Sequence, residues 1–305
     1  MPHRIGLIGL GTIARAQHLP AIAENHAFDL IGAASLEGEL PGSVAPVFRN
    51  HPDMLASLPE LDAVVICTPP QARLAVAADA LAAGKHVLLE KPPTATTGGL
   101  THLRRLAAQH GRVLFTAWHS QYNATVDESK KFLAGRVVTG FDIVWKEDVR
   151  RYHPGQQWIW QPGGFGVFDA GINALSIISR ILPVPPFVVG ADLLVPTNAE
   201  APITAEIRFS NGHANFEWRC EGDPLREITV TTEDGHRLAL TNTAGRLAID
   251  NVVVIDGPRA EYAGIYAHFD TLLRERTSFI DELPLQLVAD AFLLGRRIPV
   301  PAFHE

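Results

Sequence analysis

His3-Arg4-Ile5-Gly6-Leu7-Ile8-Gly9-Leu10-Gly11-Thr12-Ile13-Ala14 opens the chain, and its reading decides the fold. His3 to Ile8 is a continuous apolar run of strand length, and helical spacing follows from Ile13 to Glu24. Gly9 and Gly11 fall in the turn between them, where glycine permits a tight bend and lets backbone N–H groups approach a pyrophosphate. Ala14 takes the third position, which needs a small side chain so that helix can pack on strand. Strand before and helix after make this a strong dinucleotide-binding signal, with Gly9, Gly11, Thr12 and Ile13 as its expected contacts.

The alternation continues outward. Strands are expected at Phe28 to Ala34, Asp62 to Cys67, His86 to Leu89 and Val113 to Ala117, with helices from Pro70 to Ala83 and Thr97 to Gln109. Near-continuous Val, Ile and Leu in the strands indicates a parallel sheet covered on both faces. After Trp118 the character changes. A helix (Asn123 to Leu133) leads to a long strand, Val137 to Val149, and a loop rich in Gly, Trp and Pro precedes a helix from Phe168 to Ile181. Strands follow around Val188 to Val195, Thr204 to Phe209, Ala214 to Arg219, Glu227 to Thr232, Arg237 to Leu240 and Val252 to Ile255. Asn211-Gly212, Asp234-Gly235 and Asp256-Gly257 punctuate them as hairpin turns. Helices at Glu261 to Arg274 and Leu285 to Arg296 close the chain. The expected fold class is α/β: an N-terminal Rossmann domain (1–118) and a C-terminal α+β domain (119–305) with a large, mostly antiparallel sheet. The last helix is expected to pack back on the first domain.

Composition sets limits. The 305 residues are 47% hydrophobic, enough for sizeable cores. A net charge of -7 without a basic run argues against nucleic acid and anionic membranes as partners. No stretch approaches the length of a membrane span, and Met1 to Leu10 carries no charged leader. Cys67 and Cys220 lie far apart, with Cys67 reading as a core residue. A reducing, cytoplasmic setting is expected, and no metal site is.

Several residues carry chemistry. In Glu90-Lys91-Pro92 a strand delivers a carboxylate and an ammonium to the point where proline forces the chain out of the sheet. The second strand ends Ala34-Ser35-Leu36-Glu37, where a carboxylate usually grips the ribose hydroxyls. Ser35 takes that slot and Glu37 follows, with no arginine nearer than Arg49, so the reading leans to NAD over NADP. Thr68 and Pro69 follow the third strand, where the chain would pass the cofactor's sugar-phosphate arm; Pro70 also suits a helix first turn. Trp145 and Glu147 are expected on one strand face, an aromatic beside a carboxylate that suits a sugar or, equally, a half-buried sheet with a salt-bridged Glu. His153 lies in the adjoining loop. Asp169 and Asn173 share one face of the helix at 168–181, and a polar pair on an apolar helix after glycines reads as a ligand-facing edge. His119 follows the last strand of the first domain, at its carboxyl edge.

Together these motifs resemble the glucose-fructose oxidoreductase/inositol dehydrogenase/MocA family. The resemblance spans the whole chain, through Gly9 to Ala14, His18-Leu19-Pro20-Ala21, Glu90-Lys91-Pro92 and the Gly-Gly-x-x-x-x-Asp that ends in Asp169. Longer strings, Trp145 to Arg150, His153 to Gln156, Gly166 to Asp169, Gly171 to Ser176 and Asp290 to Arg297, are most similar to its bacterial D-galactose and L-arabinose 1-dehydrogenase branch. The resemblance implies hydride transfer from C1 of an aldopyranose to NAD or NADP, giving an aldonolactone. It implies a homodimer or homotetramer built through the second-domain sheet. Many family members carry a histidine one turn after the aspartate where this chain has Asn173, so the acid/base role falls on Lys91 or Asp169. Asn173 would orient the hydroxyl, and His119, Glu147 and His153 would bind ring hydroxyls. The competing expectations are a non-catalytic nucleotide- or sugar-binding regulator, which the same family contains, and a dehydrogenase of an inositol or other ring carbon.

Overall fold

The structure, a computed structural model, describes residues 1–36, 40, 45–257 and 260–304. Glu37, expected near the cofactor ribose, lies outside the described residues. The chain divides into two compact units, one of Met1–Trp118 with Tyr262–Glu282 and one of His119–Glu261 with Leu283–Glu305.

Among the described residues the first unit holds six strands: β1 (His3–Ile8), β2 (Phe28–Ala34), β3 (Val47–Phe48), β4 (Ala63–Ile66), β5 (His86–Glu90) and β6 (Leu114–Ala117). They form one sheet in the order β3-β2-β1-β4-β5-β6, parallel throughout. Every residue of β4 is buried, and four of five in β5, as expected for strands sandwiched between helices. The order reverses between β1 and β4, and ligands of such sheets bind outside the carboxyl ends at that switch point. Gly9 and Thr68 leave β1 and β4 side by side there, since Ile8 pairs with Ile66. Gly9 has φ +93, and a Cβ on it would stand 2.9 Å from the Thr68 backbone nitrogen, so only glycine fits.

Three features of this unit depart from the sequence expectation. The short strand β3 was not foreseen; it pairs with Ala33 and Ala34 at the end of β2. The first helix is not uniformly α: Ala14–His18 is a π-helical stretch and Leu19–Ala23 is α. Pro20 has no N–H to give the regular ladder, and such π segments recur at functional sites. The helix that completes the unit is Glu261–Glu275, not the last one. Its Phe269 ring stacks on Phe28 at 5.8 Å and on Phe115 at 5.9 Å, and Thr116 N–H then donates to Phe279 O at 3.1 Å.

Among the described residues the second unit is built on nine strands: β7 (Val138–Lys146), β8 (Val188–Pro196), β9 (Thr204–Phe209), β10 (Gly212–Glu217), β11 (Leu225–Thr232), β12 (Arg237–Thr241), β13 (Arg246–Ile249), β14 (Val252–Asp256) and β15 (Gly295–Val300). Their order is β14-β13-β12-β11-β7-β10-β9-β8-β15. Six of the neighbouring pairs are antiparallel, while β10/β7 and β15/β8 are parallel. The helix Phe168–Ile181 packs its apolar face on this sheet. A Cβ on Gly171 would stand 2.8 Å from Phe216 Cδ2, so the contact requires glycine at that turn.

Two boundaries move. The strand expected to reach Val149 stops at Lys146, because the Asp148 side chain accepts from Arg150 N at 3.0 Å and caps a short helix, Val149–Tyr152. The last helix, Leu283–Leu294, gives way at Gly295 to β15, which runs beside β8 in the second unit. Pro299 is tolerated in β15 because that strand is an edge.

Candidate functional site

In the first unit the carboxyl edge of the sheet gathers Gly9, Gly11, Ser35, Thr68, Pro69, Glu90 and Lys91. The geometry fits a dinucleotide. A Cβ on Gly11 would meet nothing within 4 Å among the described residues. Open space beside a glycine at the entry to a helix, which the chain joins at Thr12, is what a pyrophosphate requires. Arg15 Nε donates to Leu10 O at 2.9 Å and braces the turn. Thr68 Oγ1 is buried without a partner among the described residues, an orphaned polar atom that a bound group would satisfy. Ser35 N–H donates to Phe48 O at 2.9 Å. Arg49, the next residue, is thereby set at the same strand ends as Ser35, a proximity that sequence separation concealed.

Around Glu90 the structure adds residues that sequence reasoning did not single out for a role. The Glu90 carboxylate is 1% exposed. Its Oε1 accepts from Tyr262 OH at 2.6 Å and stands 3.2 Å from His18 Nε2, while Oε2 accepts from Lys91 N at 2.7 Å. His18 Nδ1 lies 2.8 Å from Tyr266 OH. Burial opposes a charge on His18, yet the Cys67 sulfur, Tyr266 and the Glu90 carboxylate together raise its pKa well above the ordinary imidazole value. Burial pushes the Tyr266 hydroxyl up to about 12. Arg73, itself buried, donates to Thr68 O at 2.6 Å, to Glu90 O at 2.5 Å and to Pro92 O. It fastens the ends of β4 and β5 together. An arginine in the first turn of the helix Pro70–Ala82, close behind Thr68-Pro69, was the one signal that could have found it.

The second unit distributes the remaining candidates over three clusters. Asp169, on the first turn of the helix Phe168–Ile181, is 3% exposed, and its Oδ2 lies 3.6 Å from His153 Nε2. The His153 ring sits 5.3 Å from that of Trp218 and keeps part of its edge open. Asn173 lies one turn beyond Asp169 on the same helix, half-buried.

His119 forms a second cluster. Its Nδ1 is 3.0 Å from Glu261 Oε2, and Asn123 Nδ2 donates to Glu261 Oε1 at 2.8 Å.

Glu147 and Trp145 form the third, and here the expectation of a sugar platform gives way. Trp145 is 2% exposed and offers no open face for stacking. Glu147 Oε2 accepts from Arg226 Nη2 at 2.6 Å and from Nε at 2.9 Å. The same guanidinium donates to Thr243 Oγ1 at 3.1 Å and lies 4.8 Å from the Tyr152 ring centre. The salt-bridged Glu was one of the two readings left open by the sequence, and it is the one this geometry favours.

Comparison with known proteins supplies the context for these groups. Residues 3–118 match the oxidoreductase family with an NAD-binding Rossmann fold. A galactose 1-dehydrogenase of Pseudomonas fluorescens is 43% identical over 310 residues, covering 100% of this chain and 99% of that protein. The crystal structure of a D-galactose-1-dehydrogenase from Rhizobium etli superposes with a TM-score of 0.93 at 44% identity, covering 99% of this chain and 98% of that one. A 3-ketoreductase from Actinomadura kijaniata, solved with NADP, shares the fold at a TM-score of 0.84 and 19% identity, over 99% of this chain and 100% of its own. No helix among the described residues is long and apolar enough to cross a membrane.

Proposed function

The chain belongs to the oxidoreductase family with an NAD-binding Rossmann fold, and on that premise we propose that it oxidises an aldopyranose at C1 to the aldonolactone. D-Galactose, L-arabinose and close relatives of the same configuration are the proposed substrates. Similarity along the whole chain to the galactose 1-dehydrogenase of Pseudomonas fluorescens supports that choice. The structural observation that carries the reading is Asp169, a carboxylate buried at the start of an apolar helix with an imidazole 3.6 Å away.

The nicotinamide, when bound, supplies the acceptor for the hydride that leaves C1. The protein must then take the proton of the C1 hydroxyl as the C1–O bond becomes a carbonyl. Asp169 is assigned that proton, a transfer that typically contributes about 10²–10⁴-fold. Lys91 is assigned to the oxygen, stabilising its developing negative charge; removing such a donor typically costs about 10²–10³-fold. Asn173 orients the hydroxyl, since an amide can donate and accept but cannot take the proton. His153 and His119 are assigned to ring hydroxyls. Glu147, which the sequence expectation also gave to ring hydroxyls, is held by Arg226 instead.

The dinucleotide is held by Gly9, Gly11, Thr12 and Ile13 at the pyrophosphate, Ser35 at the ribose, and Thr68, Pro69 and Lys91 along the arm towards the nicotinamide; Glu90, expected beside them from the sequence, has both carboxylate oxygens and its carbonyl engaged by the protein. NAD is the proposed partner of Ser35, which brings no positive charge of its own. The exposed face of the nine-stranded sheet is proposed as the surface through which copies of the chain assemble. The test is the rise of reduced-nicotinamide absorbance with a panel of aldoses and each cofactor. Turnover of galactose or arabinose is expected. Reduction of neither cofactor by any aldose would leave the non-catalytic regulator as the reading.

A further inference from the structure

We propose that Tyr262 and His18 are positioning residues for Lys91, acting on it through the Glu90 carboxylate. The inference rests on the role proposed above for Lys91. The amide N–H of Lys91 donates to Glu90 Oε2 at 2.7 Å. On either side of it the carbonyls of Glu90 and Pro92 accept from the one Arg73 guanidinium. The backbone that carries the lysine is therefore gripped before and after the residue, and only side-chain torsions remain to be set.

The grip depends on Glu90 being fixed in turn. A carboxylate that is 1% exposed is costly unless its oxygens are occupied by donors. One oxygen is taken by the Lys91 amide. The other is taken by Tyr262 OH at 2.6 Å with His18 Nε2 at 3.2 Å. His18 is itself fully buried and pinned from its other nitrogen by Tyr266 OH at 2.8 Å. The raised pKa of His18 favours the imidazolium beside the carboxylate, and bonds between charged partners are the strong ones. A buried ion pair kept only for stability would account for His18 and Glu90. It would not account for the third donor being the amide of the lysine.

Tyr262 also has a telling place in the chain. It directly follows Glu261, whose carboxylate holds His119 and Asn123. Consecutive residues thus serve the lysine clamp and the pair at His119.

Preorganisation of this kind is worth most where a small misplacement of a reacting group is costly, and about 1 Å can cost about 10²-fold in rate. Tyr262→Phe removes a single hydroxyl and leaves the ring. We expect it to lower kcat by about ten-fold, with the sugar KM and the dinucleotide Kd (by fluorescence titration) within about two-fold, the pattern of an interaction used in the transition state. His18→Gln should behave in the same way. In a Lys91→Ala background, the added Tyr262→Phe should change kcat by less than about two-fold, because positioning a residue that is absent has no value. An equal loss with and without Lys91, or a loss confined to dinucleotide Kd, would overturn the proposal. A second readout does not depend on turnover. With carbon-13-methylated lysines, the Lys91 signal, assigned by its disappearance in Lys91→Arg, should move in Tyr262→Phe. An unmoved signal would also overturn it. Should the wild-type protein oxidise no aldose, the proposed function fails while this measurement still decides the clamp.

Discussion

His153 Nε2 and Asp169 Oδ2 stand 3.6 Å apart, which makes the loop histidine the imidazole beside the helix aspartate in this chain. The sequence gives His153 a place at a ring hydroxyl, apart from Asp169, and carries Asn173 where many family members have a histidine one turn along the helix. The loop supplies an imidazole to the aspartate from a different element. Asp169→Asn keeps the shape of the side chain and removes its basicity. Turnover should fall by about 10²–10⁴-fold with the sugar KM little changed. His153→Ala should raise the sugar KM and spare more of kcat. Steady-state kinetics on the favoured aldose separates the two, and near-wild-type kcat in Asp169→Asn would remove Asp169 from the chemistry.

Arg49 provides a test of cofactor choice. Strand β3 puts Phe48 beside Ala34, so Arg49 follows at the strand end that Ser35 also occupies. A 2′-phosphate would need a cation at that place. Any use of NADP should therefore run through Arg49. Arg49→Ala should weaken NADP binding by about ten-fold or more, as expected for loss of a charge-assisted bond, and leave NAD binding unchanged. Equal effects on both cofactors, measured by calorimetry, would dissociate Arg49 from the phosphate.

Glu147 and Arg226 make a prediction about stability. The carboxylate is 3% exposed and its guanidinium partner is mostly covered. Removing one member of a buried pair strands the other, typically at about 3–5 kcal/mol. Glu147→Gln should lower the urea midpoint accordingly, and adding Arg226→Met should recover part of the loss. A large rise in sugar KM without loss of stability would instead put Glu147 on the substrate.

His86 sets part of the acid sensitivity. Its Nδ1 accepts from Val113 N at 2.8 Å, which requires an unprotonated nitrogen. Burial first, and then Arg112 and Arg276, hold its pKa at about 4 against an ordinary value of 6.5. The folded pKa lies below the unfolded one, so the unfolded chain binds the extra proton first as pH falls. The contribution of neutral His86 is complete above pH 6.5 and is lost progressively down to about pH 4. His86→Asn keeps an acceptor but does not titrate. Urea midpoints at neutral pH and in mild acid should differ less in this variant than in wild type.

The Rossmann unit was legible because its determinants are local. Gly9 to Ala14 states the turn, and the runs at Ala63–Ile66 and His86–Glu90 state buried strands. What escaped was either too short to have a period, as with Val47–Phe48, or was decided by a cap, as with Asp148 ending β7. The strand Gly295–Val300 was masked by the apolar helix before it and by Pro299, which only an edge position allows. Among the candidate residues, Asp169 and Asn173 were visible from their spacing on one helix. Arg226 was not, because its pairing with Glu147 joins residues 79 apart. The clamp on Glu90 joins residues 72 and 172 positions apart, distances over which no periodicity speaks.

The return of Tyr262–Glu282 to the first unit bears on how the protein is made. Phe28 and Phe115 find their stacking partner in Phe269, and the Glu90 carboxylate finds Tyr262. A ribosome that has released residues 1–118 has therefore released a Rossmann sheet with one flank uncovered and a buried-to-be carboxylate lacking a donor. That sheet waits, through synthesis of the whole intervening unit, for the segment that closes it. A chain that ended before Tyr262 would leave Phe28 and Phe115 without Phe269, and Glu90 without the Tyr262 hydroxyl.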